Sequence, residues 1–244
     1  TEPDIPMPSI ARTIKKIIKF PLENMASYFG THRIAGAPKM WCLMYHRILP
    51  MSDPRYTDEE PGMVVQPETF REHIRQLKQL FTIMSLSEWV DRVGKGKALP
   101  VNTCTITFDD GWDDNYEYAF PIIQQEQVPV TLFAVSNMIE SDIRFWPNRL
   151  AAILKNSSPD QLRQLPWLFK HLPPTSTLEF TNELSSKVIA KLKFYPDHII
   201  HQWLTEAEST LNQPSPTTNS LVNWNQLKKM SGSGLVEVGS HTSN

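Results

Sequence analysis

The chain predicts an α/β fold with a parallel sheet or barrel. Three observations carry that expectation: short, nearly unbroken apolar runs of strand length, helical periodicity between them, and polar or acidic residues where the runs end. Strands of a parallel sheet read as continuous apolar stretches because crossover helices cover both faces.

Residues 9–29 place Ile10, Ile14, Ile17, Ile18, Leu22 and Met25 at helical spacing. Arg12, Lys15, Lys16 and Lys19 fall towards the other side, and Pro21 kinks or breaks the run. This reads as a basic amphipathic helix within an N-terminal extension, residues 1–38. Packing of the apolar face on the body of the domain is the commoner fate of such a helix, and weak association with a membrane surface is the alternative. Met40 to Tyr45 is short and almost wholly apolar, as expected of a strand buried on both faces. Residues 49–66, rich in Pro and charge, predict a loop. Pro67-Glu68-Thr69 opens a helix to about Leu80, Phe81 to Met84 is a strand, and Ser87 is the expected cap of a helix running to Val93.

After a turn over Gly94 to Pro100, Thr103 to Phe108 is a second apolar, β-branched strand, ending on Asp109-Asp110-Gly111. A helix is expected from about Asp114 to Gln125 and a strand from Val128 to Val135. Residues 141–220 break the rhythm, with Trp146, Trp167 and Trp203 in helical patterns and Pro173-Pro174 and Pro214-Ser215-Pro216 as punctuation, so they read as a helical insertion between successive strands. A helix around Trp224 to Met230 and a strand from Leu235 to Val238 then lead into Gly239-Ser240-His241-Thr242. There is no internal repeat.

At 244 residues the chain can bury one sizeable core, and a composition 40% hydrophobic and 20% charged is that of a globular protein. With 24 Lys and Arg against 26 Asp and Glu, the net charge of −2 supplies no positive field for nucleic acid. Cys42 and Cys104 each sit in an apolar run and are expected to be free core thiols. No run of 18 apolar residues and no secretory leader is visible. The expected location is cytoplasmic or membrane-peripheral, or extracytoplasmic if a leader has been removed.

Asp109 and Asp110 end a buried strand, where active sites of parallel α/β folds and barrels lie. Two ionised carboxylates this close repel unless a cation or a shared proton intervenes. A metal resolves this simply, one Asp binding the ion while the other accepts a proton from water. Taken alone, such a doublet is more often a helix cap and a solvated neighbour. His241 also follows an apolar strand, as does His46 after Leu43-Met44-Tyr45. A lone His there is more often a surface or capping residue, so the weight lies in the combination. Mixed His and Asp donors suit zinc and similar divalent ions.

The segment TFDDGWDDNYEYAFPIIQQEQVPVTLFAV resembles the first motif of the polysaccharide deacetylases, the NodB-homology or family 4 carbohydrate esterases. VEVGSHTSN resembles the start of their second motif. The similarity runs from about Trp41 to Asn244, outside the insertion. It implies a distorted (β/α) barrel incomplete at the C-terminus, over residues 39–244. It also implies Asp109 as general base and Asp110 and His241 as ligands of a divalent ion, zinc above all, with the second motif's other histidine falling just after Asn244. A Leu-x-x-His-like motif that normally lies near the C-terminus stands here early, as Leu43 to His46. That order is similar to the circularly permuted deacetylases of biofilm poly-N-acetylglucosamine and implies His46 as general acid.

The implied reaction is metal-assisted hydrolysis of the N-acetyl group of a glycan or lipid-linked saccharide, with Trp112 as a substrate contact at the sugar. Packing explains an aromatic at that position equally well. O-acetyl ester hydrolysis and non-catalytic glycan binding on the same fold are the rival readings. Asp113 and Asp114 are expected to begin the next helix rather than to bind metal.

Overall fold

The computed structural model describes residues 39–59, 62–141, 144–172, 179–213 and 221–242. The amphipathic helix expected at 9–29 and both proline clusters of the insertion lie outside these residues. Strands β1 (Lys39–Tyr45), β2 (Arg47–Ile48) and β3 (Val64–Val65) precede helix α1 (Pro67–Leu80). Strand β4 (Thr82–Ile83), helix α2 (Leu86–Gly94), strand β5 (Asn102–Phe108), helix α3 (Phe120–Glu126) and strand β6 (Val130–Ala134) follow. Five helices come next: α4 (Trp146–Asn156), α5 (Pro159–Leu162), α6 (Pro166–His171), α7 (Asn182–Leu192) and α8 (Asp197–Thr210). Helix α9 (Trp224–Gly232) and strand β7 (Val236–Ser240) close the described chain.

The fold is α/β with a parallel sheet. Strands β1, β5, β6 and β7 are neighbours in that order, and β4 also pairs with β5. The strands form an open sheet, not a closed barrel, among the described residues. Parallel pairing brings every strand's C-terminal end to one edge, which is how residues far apart in sequence come to share a site.

The main core lies between this sheet and its helices. Cys104, Ile106 and Phe108 of β5 meet Phe70, Ile74 and Leu77 of α1 and Ile122 and Ile123 of α3. Phe70 packs edge-on against Tyr45 and Phe108, with centroids 5.1 and 5.5 Å away. Burying a side chain of this kind contributes roughly 1.5–3 kcal/mol. A second apolar core belongs to the helical layer between β6 and β7, built from Leu150, Ile153, Leu168, Val188, Ile189 and Leu204 among others.

Four expectations need correction. The stretch read as a loop over residues 49–66 ends in strand β3, which pairs with β2. Strand β1 is not buried on both faces: among the described residues it lies at an edge of the sheet, and Trp41 and Met44 are 43% and 58% exposed. Its apolar run looks like that of a central strand because composition records burial without recording neighbours. For the same reason Cys42 is an exposed thiol; Cys104 is buried, and both are free. Helix α2 is capped by Ser85, not Ser87: the Ser85 hydroxyl accepts the Glu88 N–H at 3.2 Å, while the Ser87 hydroxyl donates to the Glu237 carboxylate on β7. Both serines satisfy local capping preferences, and the tertiary partner decides between them.

Candidate active site

The end of β5 is fixed by main-chain bonds on both sides. The Asp109 N–H donates to the Tyr45 carbonyl at 2.9 Å, the Val135 N–H to the Asp110 carbonyl at 3.3 Å, and the Val222 N–H to the Gly111 carbonyl at 2.9 Å. The turn needs left-handed backbone, with φ of 71° at Asp110 and 83° at Gly111. A Cβ on Gly111 would also stand 3.0 Å from the Ala134 Cβ, so glycine is required twice over. Asp is among the few other residues that tolerate such φ values.

His241 continues the β6–β7 ladder, its N–H donating to the Ala134 carbonyl at 2.9 Å. Its ring lies between the two aspartates: Nε2 is 3.6 Å from Asp109 Oδ2 and Nδ1 is 3.6 Å from Asp110 Oδ1. Both carboxylates are largely covered, 15% exposed, whereas the imidazole is 40% exposed. The three residues therefore meet across β5, β6 and β7. His46 joins Asp110, Trp112 and His241 in lining a cavity of about 760 Å³.

Trp112 lies beside the doublet, only 6% exposed. Its indole Nε1–H donates to Asp110 Oδ2 at 3.0 Å, and its ring packs against Phe145 on one hand and the Arg47 guanidinium, 4.2 Å from the centroid, on the other. The side chain therefore orients a carboxylate, and it borders the cavity as well.

Asp113 and Asp114 do begin the helix, but their carboxylates work elsewhere. Asp114 is fully buried and accepts Arg47 Nε at 2.8 Å and the Ile48 N–H at 2.6 Å. Arg47, 2% exposed, also pairs with Glu59. Asp113 accepts Arg55 Nη1 at 2.7 Å, and burial pushes its carboxyl up to about 6. Burial likewise raises Glu59, against the pull of Arg47. A π-helical turn over Asn115–Ala119 follows, and from it Asn115 donates to the His46 carbonyl at 2.9 Å. The ion-pair cluster and this amide thus fix the backbone that carries His46. Arg47, Glu59 and Asn115 were not singled out from the sequence. The available signal was charge: four aspartates within residues 109–114 demand cationic partners, and Arg47 directly follows the candidate His46.

The pair formed by Asp110 and His241 has the chemistry of a borderline-metal site, one carboxylate oxygen and one imidazole nitrogen. Two such ligands on one tetrahedral zinc stand about 3.4 Å apart, given bonds of about 2.0–2.2 Å. The separation of 3.6 Å between Asp110 Oδ1 and His241 Nδ1 matches that spacing. Among the described residues no group of three His, Cys, Asp or Glu is placed to hold an ion.

Residues 96–166 match the family described as polysaccharide deacetylase, a span that contains β5, Asp109, Asp110 and β6. No curated protein matches the chain. Similar solved structures include a de-N-acetylase from Aggregatibacter actinomycetemcomitans (18% identity, TM-score 0.46, 84% of this chain and 55% of that one). Others are IcaB from Ammonifex degensii (18%, 0.47, 85% and 55%) and the BpsB deacetylase domain from Bordetella bronchiseptica (18%, 0.42, 84% and 55%). The chain spans about 55% of the length of these structures.

Proposed function

We propose that the chain carries the site of a metal-dependent deacetylase that hydrolyses N-acetyl groups of a glycan. The observation that supports this reading best is the convergence of strand ends. Asp109 and Asp110 stand 3.6 Å from the two nitrogens of His241, beside a cavity that His46 also lines. The match of residues 96–166 to the polysaccharide deacetylase family points the same way.

In this reading Asp110 and His241 would hold a divalent cation, zinc being best suited to the donors. When bound, the cation polarises the acetyl carbonyl and makes a water molecule more acidic. The chain's own residues do the rest. Trp112 occupies Asp110 Oδ2 and so leaves Oδ1 directed at His241. Asp109 is the base that takes the proton of the attacking water, and His46 gives a proton to the sugar amine as the C–N bond breaks. Deprotonated amines are poor leaving groups, so the reaction needs an acid as well as a base. The bond from the Asp109 N–H to the Tyr45 carbonyl and the bond from the Asn115 side chain to the His46 carbonyl fix the backbone that carries both groups.

Acetate release from N-acetylated and O-acetylated oligosaccharides tests the reading. Asp109→Asn is expected to lower kcat on the N-acetylated substrate by about 10²–10⁴-fold with an unchanged thermal midpoint. Undiminished release by the variant would sink the assignment.

A further inference from the structure

The cavity beside Asp110, His46 and His241 has another wall, built by the helical layer. Trp146 and Asn148 of α4, Asn182 and Ser185 of α7 and His201 of α8 all line it. Hydrolysis of an acetamido group alone requires none of them.

His201 is held in one orientation. Arg149 on α4 makes a two-pronged pair with Glu208, Nε to Oε1 at 2.9 Å and Nη2 to Oε2 at 2.8 Å, and reaches His201 Nδ1 through Nη1 at 2.9 Å. A guanidinium only donates, so Nδ1 must be the acceptor and the neutral ring carries its proton on Nε2. Burial, with Arg149 beside it, lowers the His201 pKa below the ordinary histidine value, in the same sense as that contact. Glu59, Asp110 and Asp197 line the cavity together with Arg144 and Lys193, so charges of both signs are present and no single-sign field selects an ion. An indole surface, amide and hydroxyl groups and a neutral N–H donor form a wall suited to a saccharide ring.

Resting on the deacetylase reading for the identity of the substrate, we propose that the helical layer forms a second saccharide subsite. There His201, oriented by Arg149 and Glu208, donates its Nε2–H to an oxygen of the sugar unit next to the reacting one, and Trp146 supplies the apolar platform. His201 is a specificity residue that makes the site prefer oligomers over single sugars.

Binding of N-acetylglucosamine and its β-1,4- and β-1,6-linked dimers to tetramers, measured by isothermal titration on the full chain without added metal, tests this directly. With one linkage at least, a trimer is expected to bind about tenfold or more tightly than the monosaccharide. His201→Ala should remove most of that preference, and His201→Gln, which keeps an N–H donor, should retain it. Equal affinity for all lengths, no binding of either series, a preference unchanged in His201→Ala, or equal loss in both variants would each overturn the subsite. Acetate release is measured in parallel with zinc. Length-dependent binding that needs His201 in a protein releasing no acetate would uphold the subsite and refute the hydrolase reading.

Discussion

At the level of single residues, the site depends on groups that orient other groups. Trp112 illustrates this: its N–H ties down one oxygen of Asp110, while its ring is clasped between Phe145 and Arg47. Trp112→Phe keeps most of the packing and removes the donor. Zinc affinity, read by competition with a chromophoric chelator, is expected to fall about 10–100-fold, as when the hydrogen-bond partner of a metal ligand is lost. Unchanged affinity would show that the bond has no orienting role. Asp113 offers a second test. Its carboxyl sits at about 6 because of burial, partly offset by Arg55, and above the usual Asp value near 3.9. A raised carboxyl favours the protonated folded form, so its contribution to stability is full below about pH 4 and is lost as pH rises through about 6. Asp113→Asn should therefore gain on the wild type in urea midpoint between pH 4 and pH 7, with the two nearly equal at the acid end. A constant difference across that range would contradict the linkage.

At the level of elements, the joint between β2 and the π-turned helix sets where His46 stands. Arg47, Asp114 and Glu59 are a buried charge cluster, and removing its only deeply buried cation among the described residues leaves two carboxylates without their closest partner. Arg47→Met is expected to cost about 3–5 kcal/mol in chemical denaturation. A loss under about 1 kcal/mol would mean that water or Arg55 takes over. The π turn belongs to the same joint: one extra residue in the helix turns Asn115 towards the His46 carbonyl. Nothing in residues 115–119 announced that irregularity, because a π turn is fixed by the contacts it enables and not by a propensity of its own.

At the level of the whole molecule, the cavity is lined by the helical-layer core, through Trp146 and Ile189, and by a separate apolar cluster of Trp112, Val135, Met138 and Phe145, while the sheet core stands apart from it. The sheet core and the helical-layer core share no buried side chain. Cavity formation at Leu204, fully buried in α8, should cost about 2–5 kcal/mol and fall on one core alone. In native-state hydrogen exchange, Leu204→Ala is expected to speed the amides of α4, α7 and α8 while leaving those of β5 and β6 at wild-type protection. Uniform acceleration would show a single cooperative unit.

The sequence by itself determined the strand runs of the main sheet, though not the short β2–β3 pair, together with their parallel α/β arrangement and the doublet at the end of β5, because burial and turn chemistry are local and leave periodicities behind. It also placed His46 and His241 after strands. What only the tertiary structure decided was which residues meet: the exposure of β1, the choice of Ser85 over Ser87 as cap, the pairing of Arg47 with Asp114, and the arm from Glu208 through Arg149 to His201. Each depends on contacts between segments distant in the chain, and a side chain's partner across such a gap is set by packing geometry, of which the local order of residues keeps no record.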